Sequence, residues 1–389
     1  MNPEFRIPNA ELRAVIFSTT YFPLVGGAEV AMKEITDRLP NWQFDLICAR
    51  IKPGLKFKER IGNVTVHRVG FGHSIDKYLL PIFGSIYSLF AFRSSPFVIW
   101  SLMASYGGFT ALVYTWLRPK SRMLLTLQEG DPLEHYAERA GYLMFLHKKI
   151  FARANAVQAI SRFLSVWAKK MGFGGVPEVV PNGVNVAQFS TRISLERRAE
   201  LRREFGFAND DIVLVTTSRL SLKNGVDDMI RALTHLPDNH KALIIGEGED
   251  QDKLLSLTKQ KELSDRVVFL GRREHDELPA ILQASDIFIR PSLSEGLGNS
   301  FLEAMAAGLP IIGTSVGGIP DFLLDGHTGV FCEVRDPESI AKAVLRIQTE
   351  PGLREKLIEQ GAALVHSKYD WDTIARQMEE LLLSVTHNT

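Results

Sequence analysis

Two glutamates eight positions apart, Glu295 and Glu303, bracket the richest run of chemistry-bearing residues in the chain, Arg290-Pro-Ser-Leu-Ser-Glu295-Gly296-Leu297-Gly298-Asn299-Ser300-Phe301-Leu-Glu303. The apolar run before Arg290 and the apolar spacing after Asn299 predict a strand end, a glycine-bearing loop and a helix that begins around Asn299. The bare amides of such a loop, with the positive end of the helix behind them, form a site for an anion such as a diphosphate. Gly296 and Gly298 permit the close backbone approach that such a ligand needs. Glu303 falls about one turn inside the helix, the place of an ordinary surface glutamate, whereas Glu295 precedes the helix and could point into a cleft.

Other candidates sit at the ends of other expected strands. Arg219 and Lys223 follow the apolar run Asp211–Ser218. They are solvated surface charges or, at the carboxyl end of a parallel strand, the cations of an anion site. Gly26 and Gly27 follow the first strand and open a helix, so they make either a plain turn or a second set of bare amides. Glu29 beside them complements the helix dipole. After the run Met123–Leu127 come Gln128, Glu129 and Asp131. Glu129 or Asp131 could serve as a base toward a hydroxyl, or could cap the segment that follows. The ten histidines are scattered, so neither a metal nor another cofactor is expected.

These residues need a scaffold of strands alternating with helices. Strand-like runs at Arg13–Ser18, Phe44–Ala49, Val64–Val69, Phe97–Leu102, Met123–Leu127, Ala156–Ile160 and Val176–Pro181 alternate with helical segments, among them Ala28–Leu39, Phe109–Leu117 and Ser161–Met171, the last with Ser161 as its N-cap. A loop at Asn182–Gln188 and a charged helix at Arg192–Phe205 precede a fresh strand-first series, Asp211–Ser218, Lys241–Ile245, Arg266–Leu270, Ile287–Arg290, Pro310–Thr314 and Gly329–Cys332. The pattern predicts α/β domains with parallel sheets: residues 1–185, residues 186–370, and a closing helix in 371–389 that packs back on the first domain.

At 389 residues the chain is long enough for two cores, and its 45% hydrophobic and 23% charged residues are those of a globular protein. Forty-five basic side chains balance 45 acidic ones, so no nucleic-acid partner is expected. Two widely spaced cysteines, Cys48 and Cys332, fit a reducing compartment and a cytoplasmic location. The charged N-terminus lacks the apolar stretch of a signal peptide. Between Arg93 and Arg118 there is no charge, but Pro96 and Gly107–Gly108 divide the run into a buried strand and a helix rather than a membrane span. The preceding run, Tyr78–Phe92, reads as a helix rich in Leu, Ile and Phe. It leaves peripheral contact with the inner face of a membrane open.

Glu295 and Glu303 match the Glu-x7-Glu motif of retaining GT-B glycosyltransferases, and their surroundings resemble glycosyltransferase family 4. The resemblance extends, in order, over Pro181-Asn-Gly-Val-Asn185, Ser218-Arg219-Leu220 with Lys223-Asn-Gly225, Gly246-Glu-Gly248, Ala307-Gly-Leu-Pro-Ile311, Gly317-Gly-Ile-Pro-Asp321 and Gly326-His-Thr-Gly329. It implies two Rossmann-like domains facing across a cleft, the nucleotide-diphosphate sugar held mainly by the second, with a glycan or lipid-linked acceptor on the side of the first. In that family Glu295 would hold hydroxyls of the transferred sugar, and the amides from Gly296 to Phe301 would line the sugar and phosphate pocket. Glu303 would accept from the ribose hydroxyls. Arg219 and Lys223 would neutralise the departing diphosphate. Removing one such cation costs on the order of 2–4 kcal/mol in the barrier. The family's N-terminal glycine loop maps on Gly26 and Gly27. The reaction implied is front-face displacement with retention, the leaving phosphate helping to deprotonate the acceptor.

Two departures stand out. Asn224 intervenes where the family's lysine often directly precedes glycine. Gln128 and Glu129 stand where the family commonly has His-Asp, and Gln128 can donate to a sugar hydroxyl but carries no titrating proton. Three rivals remain. They are a nucleotide-sugar epimerase on the same fold, a dinucleotide-dependent oxidoreductase, which would want Gly-x-Gly-x-x-Gly after the first strand, and a non-catalytic carbohydrate-binding protein.

Overall fold

The computed structural model describes residues 12–92, 98–130, 141 and 144–387. They divide into two compact units. The first holds the described residues up to Glu129, those of the next stretch up to Pro181, and the chain from Asp372 onward; the second runs from Asn182 to Trp371 and takes in Gly130.

In the first unit the strands are β1 (Leu12–Phe17), β2 (Trp42–Ala49), β3 (Lys58–Ile61), β4 (Val64–Val69), β5 (Val98–Leu102), β6 (Arg122–Leu127), β7 (Ala156–Ala159) and β8 (Glu178–Val179). They form one sheet in the order β3-β4-β2-β1-β5-β6-β7-β8, parallel except for the antiparallel edge strand β3. β3 escapes a sequence reading because Lys58-Glu59-Arg60 carries charges where a core strand would be apolar. The inner strands are continuous apolar runs because helices cover both faces: Ala14 to Phe17 are fully buried. Those helices are α1 (Gly27–Asp37), α2 (Asp76–Ala91), α3 (Tyr106–Leu117), α4 (Met144–Arg153) and α5 (Arg162–Lys170).

Local chemistry fixes several boundaries. The Ser161 hydroxyl accepts the Leu164 amide at 3.3 Å and caps α5. Gly107 and Gly108, expected to precede a helix at Phe109, lie inside the first turn of α3 instead. A Cβ on Gly107 would stand 2.7 Å from the Phe17 carbonyl oxygen, so the missing side chain lets α3 sit against the end of β1. The closing helix α14 (Trp371–His387) belongs to this unit from Asp372 on. Arg38 donates to Asp372 at 2.7 Å and the Trp42 indole to Glu379 at 3.1 Å.

In the second unit β9 (Ile212–Thr217), β10 (His240–Ile245), β11 (Val267–Gly271), β12 (Ile287–Arg290), β13 (Ile311–Thr314) and β14 (Val330–Cys332) form an all-parallel sheet in the order β11-β10-β9-β12-β13-β14. Its helices are α6 (Val186–Ser190), α7 (Leu195–Glu204), α8 (Val226–Ala232), α9 (Gln251–Gln260), α10 (Leu278–Gln283), α11 (Asn299–Ala306), α12 (Pro337–Thr349) and α13 (Leu353–Lys368). Strand order reverses between β9 and β12, and in such a sheet a crevice opens there beyond the carboxyl ends of the strands. Cys48 and Cys332 are free thiols, and burial pushes both up to about 12. Among the described residues no helix is long and apolar enough to cross a membrane.

Candidate active site

The loops leaving β9 and β12 emerge side by side at the strand-order reversal and are stitched together. The Leu293 amide donates to the Lys223 carbonyl at 2.7 Å. Asn224, almost wholly buried, donates from Nδ2 to the Arg219 carbonyl at 2.6 Å and accepts the Arg290 guanidinium on Oδ1 at 2.8 Å. Gly225 has φ +66°, and a Cβ there would overlap the Pro291 carbonyl. The asparagine between Lys223 and Gly225 is thus the peg that ties the two strand-end residues Arg219 and Arg290 into one cluster. The Lys223 ammonium donates to the Gly130 carbonyl at 3.1 Å, and Arg219 is exposed.

Glu295 is held from within its own loop. Its Oε2 lies 2.7 Å from the Arg290 guanidinium, both side chains about one-eighth exposed, and its Oε1 accepts the Gly296 amide at 3.2 Å. The guanidinium contact is close but not aligned along an N–H, so buried Oε2 lacks a directed donor. A buried carboxylate oxygen in that condition invites a hydroxyl. The Glu295 carbonyl accepts the Gly318 amide at 3.1 Å, and a Cβ on Gly317 would overlap that carbonyl, which brings the loop after β13 against the loop after β12.

The helix α11 opens at Asn299 after Gly298, whose φ is +100°, and no side chain caps it. The Phe301 amide donates to the Gly298 carbonyl at 3.0 Å, which leaves the Asn299 and Ser300 amides for an anion. Leu297 and Phe301 are buried, the Phe301 ring lying 5.2 Å from Phe288 and 5.4 Å from Phe322, so both anchor the turn with side chains and offer only backbone to a ligand. The Ser300 hydroxyl accepts from Arg290 at 2.8 Å. Glu303 is not an ordinary surface residue: its side chain is 16% exposed, and its Oε1 lies 3.0 Å from His275 Nε2. The His275 ring packs edge-on to Phe189 at 5.3 Å. His275 does not stand out in the sequence, since it meets Glu303 only through the fold.

Gly26, Gly27, Gln128 and Glu129 lie at the carboxyl edge of the first unit's sheet, after β1 and β6. Gly26 is the N-cap of α1, and its amide donates to Glu29 Oε2 at 2.8 Å. The Thr20 hydroxyl donates to Glu29 Oε1 at 3.1 Å, so Glu29 closes the helix start by hydrogen bonding. A Cβ on Gly27 would meet nothing within 4 Å, and neither glycine has positive φ. Glu129 is buried, with Oε1 accepting the Ala104 amide at 3.2 Å and Oε2 unpartnered. That bond ties the end of β6 to the turn after β5. Burial pushes the Glu129 carboxyl up to about 7, more than the hydrogen bonds from Ala104 and neighbouring amides bring it down. Asp131 lies outside the described residues. No cluster of three or more His, Cys, Asp or Glu suited to a metal occurs among the described residues.

Known proteins resemble this chain in part of its sequence and in its fold. Residues 197–364 match the family glycosyl transferases group 1. An uncharacterized glycosyltransferase of Methanocaldococcus jannaschii is 33% identical over 202 residues, 51% of this chain and 52% of that protein. A GDP-mannose-dependent monoacylated alpha-(1-6)-phosphatidylinositol monomannoside mannosyltransferase of Corynebacterium glutamicum is 30% identical over 61% of this chain and 64% of its own. The chain thus spans between half and two thirds of the length of these curated relatives. The sucrose-phosphate synthase structure from Thermosynechococcus elongatus superposes with a TM-score of 0.84 at 20% identity, over 97% of this chain and 100% of that one. Residues 197–364, within the second unit, thus match the group 1 glycosyl transferases, and the chain's fold is GT-B, two Rossmann-like α/β units.

Proposed function

We propose that this protein is a metal-independent, retaining glycosyltransferase of family 4 that moves a hexosyl unit from a nucleotide-diphosphate sugar to a glycan or lipid-linked acceptor in glycan biosynthesis. The observation that carries the reading is the uncapped start of α11, bracketed by Glu295 and Glu303 and tied to the loop that bears Arg219 and Lys223. A diphosphate placed on those amides has its charge offset by Arg219 and Lys223, and the same cations stabilise it as it leaves. Glu303, steadied by His275, accepts from the ribose hydroxyls. Glu295 turns Oε2 to a hydroxyl of the sugar.

In the transfer step the bond from the anomeric carbon to the diphosphate oxygen breaks, and the bond to the acceptor oxygen forms on the same face. The acceptor proton ends on the departing phosphate, reaching it directly or by way of a base on the acceptor side. For the donor, Gly26 and Gly27 supply amides to the phosphates, and Gln128 donates to a hydroxyl of the sugar. Nothing in the fold requires glycine at position 27, so close approach by a ligand supplies the reason for it. Glu129 is the candidate base toward the acceptor, with Asp131 beside it in sequence. The buried free thiols fit a reducing compartment, which supports a cytoplasmic site for the reaction.

The Corynebacterium relative, whose name carries a GDP-mannose donor and a phosphatidylinositol monomannoside acceptor, puts GDP-mannose first among donors to try. Incubation with UDP-, GDP- and ADP-sugars, following nucleoside diphosphate release without acceptor, tests the reading. Slow release from one nucleotide family, lost in Glu295→Ala, is expected. A changed sugar on an intact nucleotide would indicate an epimerase, and no turnover across donors and acceptors would indicate a carbohydrate-binding protein.

A further inference from the structure

The helix layer α2–α3–α4 on one face of the first unit's sheet turns an uncharged apolar surface to solvent. α2 packs against α3 and α3 against α4. α2 and α3 run side by side in the same direction, with Tyr78 and Tyr106 at their amino ends in ring contact at 5.2 Å. Along α2, Tyr78, Ile82 and Ile86 recur every four residues, so they form one stripe. Trp116 and Leu117 at the end of α3 and Phe145 on α4 extend it, and all six side chains are 46–57% exposed. No charged residue interrupts α2 from Tyr78 to Ala91 or α3 from Tyr106 to Leu117. A surface helix ordinarily carries charge on its outer face, so this face is built for an apolar neighbour.

Among the described residues, the charges on α2 from Lys77 onward, in the turn after α3 and on α4 have one sign. From Lys77 to Gln128 the sequence has no aspartate or glutamate, and α4 has none either. Lys77, whose ammonium lies 5.0 Å from the Tyr78 ring centre, stands at one end of the stripe. Arg118 and Lys120 stand exposed at the other, with Lys148 and Lys149 on α4. In a chain whose net charge is zero, this concentration of cations around an apolar stripe is local. Two copies pairing through this face would set those cations against each other, which disfavours self-association. An anionic bilayer surface satisfies both features, the acyl boundary taking the apolar side chains and the phosphates taking the cations.

We propose that the α2–α3–α4 face docks on an anionic lipid bilayer, with Ile82, Ile86 and Trp116 entering the interface. The inference stands apart from the transferase reading, because neither donor nor acceptor enters its test. The full chain is floated with phosphatidylcholine vesicles with and without phosphatidylglycerol. Of the five tryptophans only Trp116 is exposed, so a blue shift of intrinsic fluorescence on vesicles, absent in Trp116→Phe, reports its insertion. We expect flotation with anionic vesicles and at least tenfold weaker binding to neutral ones. Ile82→Asn/Ile86→Asn and Arg118→Ser/Lys120→Ser should each weaken binding at least tenfold with unchanged melting temperature. No flotation with either vesicle, or flotation and fluorescence indifferent to all these substitutions, would overturn the proposal. So would concentration-dependent dimerisation, abolished by Ile82→Asn/Ile86→Asn, in a protein that does not bind vesicles.

Discussion

Arg290 and Glu295, the last residue of β12 and the carboxylate five positions on, form an ion pair of 2.7 Å at the point where strand order reverses in the second unit's sheet. The pair fixes the position of the turn that leads into α11, because Arg290 also holds the Ser300 hydroxyl and the Asn224 amide. Removing the cation strands a nearly buried carboxylate. Arg290→Ala should therefore destabilise the protein by on the order of 3–5 kcal/mol in urea unfolding, and Glu295→Gln by clearly less. Equal small effects would show that the pair does not organise the loop.

Asn224→Ala leaves the Arg219 carbonyl and one arm of Arg290 without their partner. A cost of about 2 kcal/mol in stability is expected. Donor turnover should fall as well, because the peg positions the loop that carries Lys223. Unchanged turnover in a folded Asn224→Ala protein would remove the asparagine from the site's framework.

Arg219→Ala and Lys223→Ala should each raise the barrier to donor cleavage by on the order of 2–4 kcal/mol while leaving the melting temperature nearly unchanged. The rate of diphosphate release with the best donor checks this. A loss confined to KM would assign the two cations to ground-state binding.

Glu129 supplies a pH-dependent prediction. Its carboxyl, ordinarily near 4.5, is raised to about 7 by burial, so the folded state binds the proton more tightly than the unfolded chain. Stability is then lost as pH rises from about 4.5 through about 7. Glu129→Gln, which keeps an oxygen for the Ala104 amide but carries no charge, should match wild type at pH 4 and exceed it at pH 8 by on the order of 3 kcal/mol. If Glu129 also takes the acceptor proton, the same variant loses transfer at least about a hundredfold despite its greater stability.

The turn around Glu295 was legible because its logic is local: strand, glycines, helix start and two carboxylates fall within fourteen residues of sequence. The alternation of apolar runs likewise announced two parallel sheets. What stayed hidden depends on residues distant in sequence. Asn224 is 66 positions from Arg290, and His275 is 28 from Glu303. In sequence His275 is one more polar residue of the loop Arg272-Arg273-Glu274-His275. Gly107–Gly108 misled for a related reason: a glycine pair punctuates a sequence, but here its bareness serves the packing of α3 on the end of β1. The charged edge strand β3 carries no apolar period because neither of its faces is buried.

Calorimetric titration of wild type and Glu303→Ala with UDP, GDP and ADP, and with inorganic pyrophosphate, examines the donor site most directly. One nucleoside diphosphate should bind wild type and bind Glu303→Ala at least tenfold more weakly, while pyrophosphate, which lacks a ribose, binds both alike. Failure of all three nucleotides to bind wild type, or equal binding to both proteins, would contradict a donor site at the start of α11.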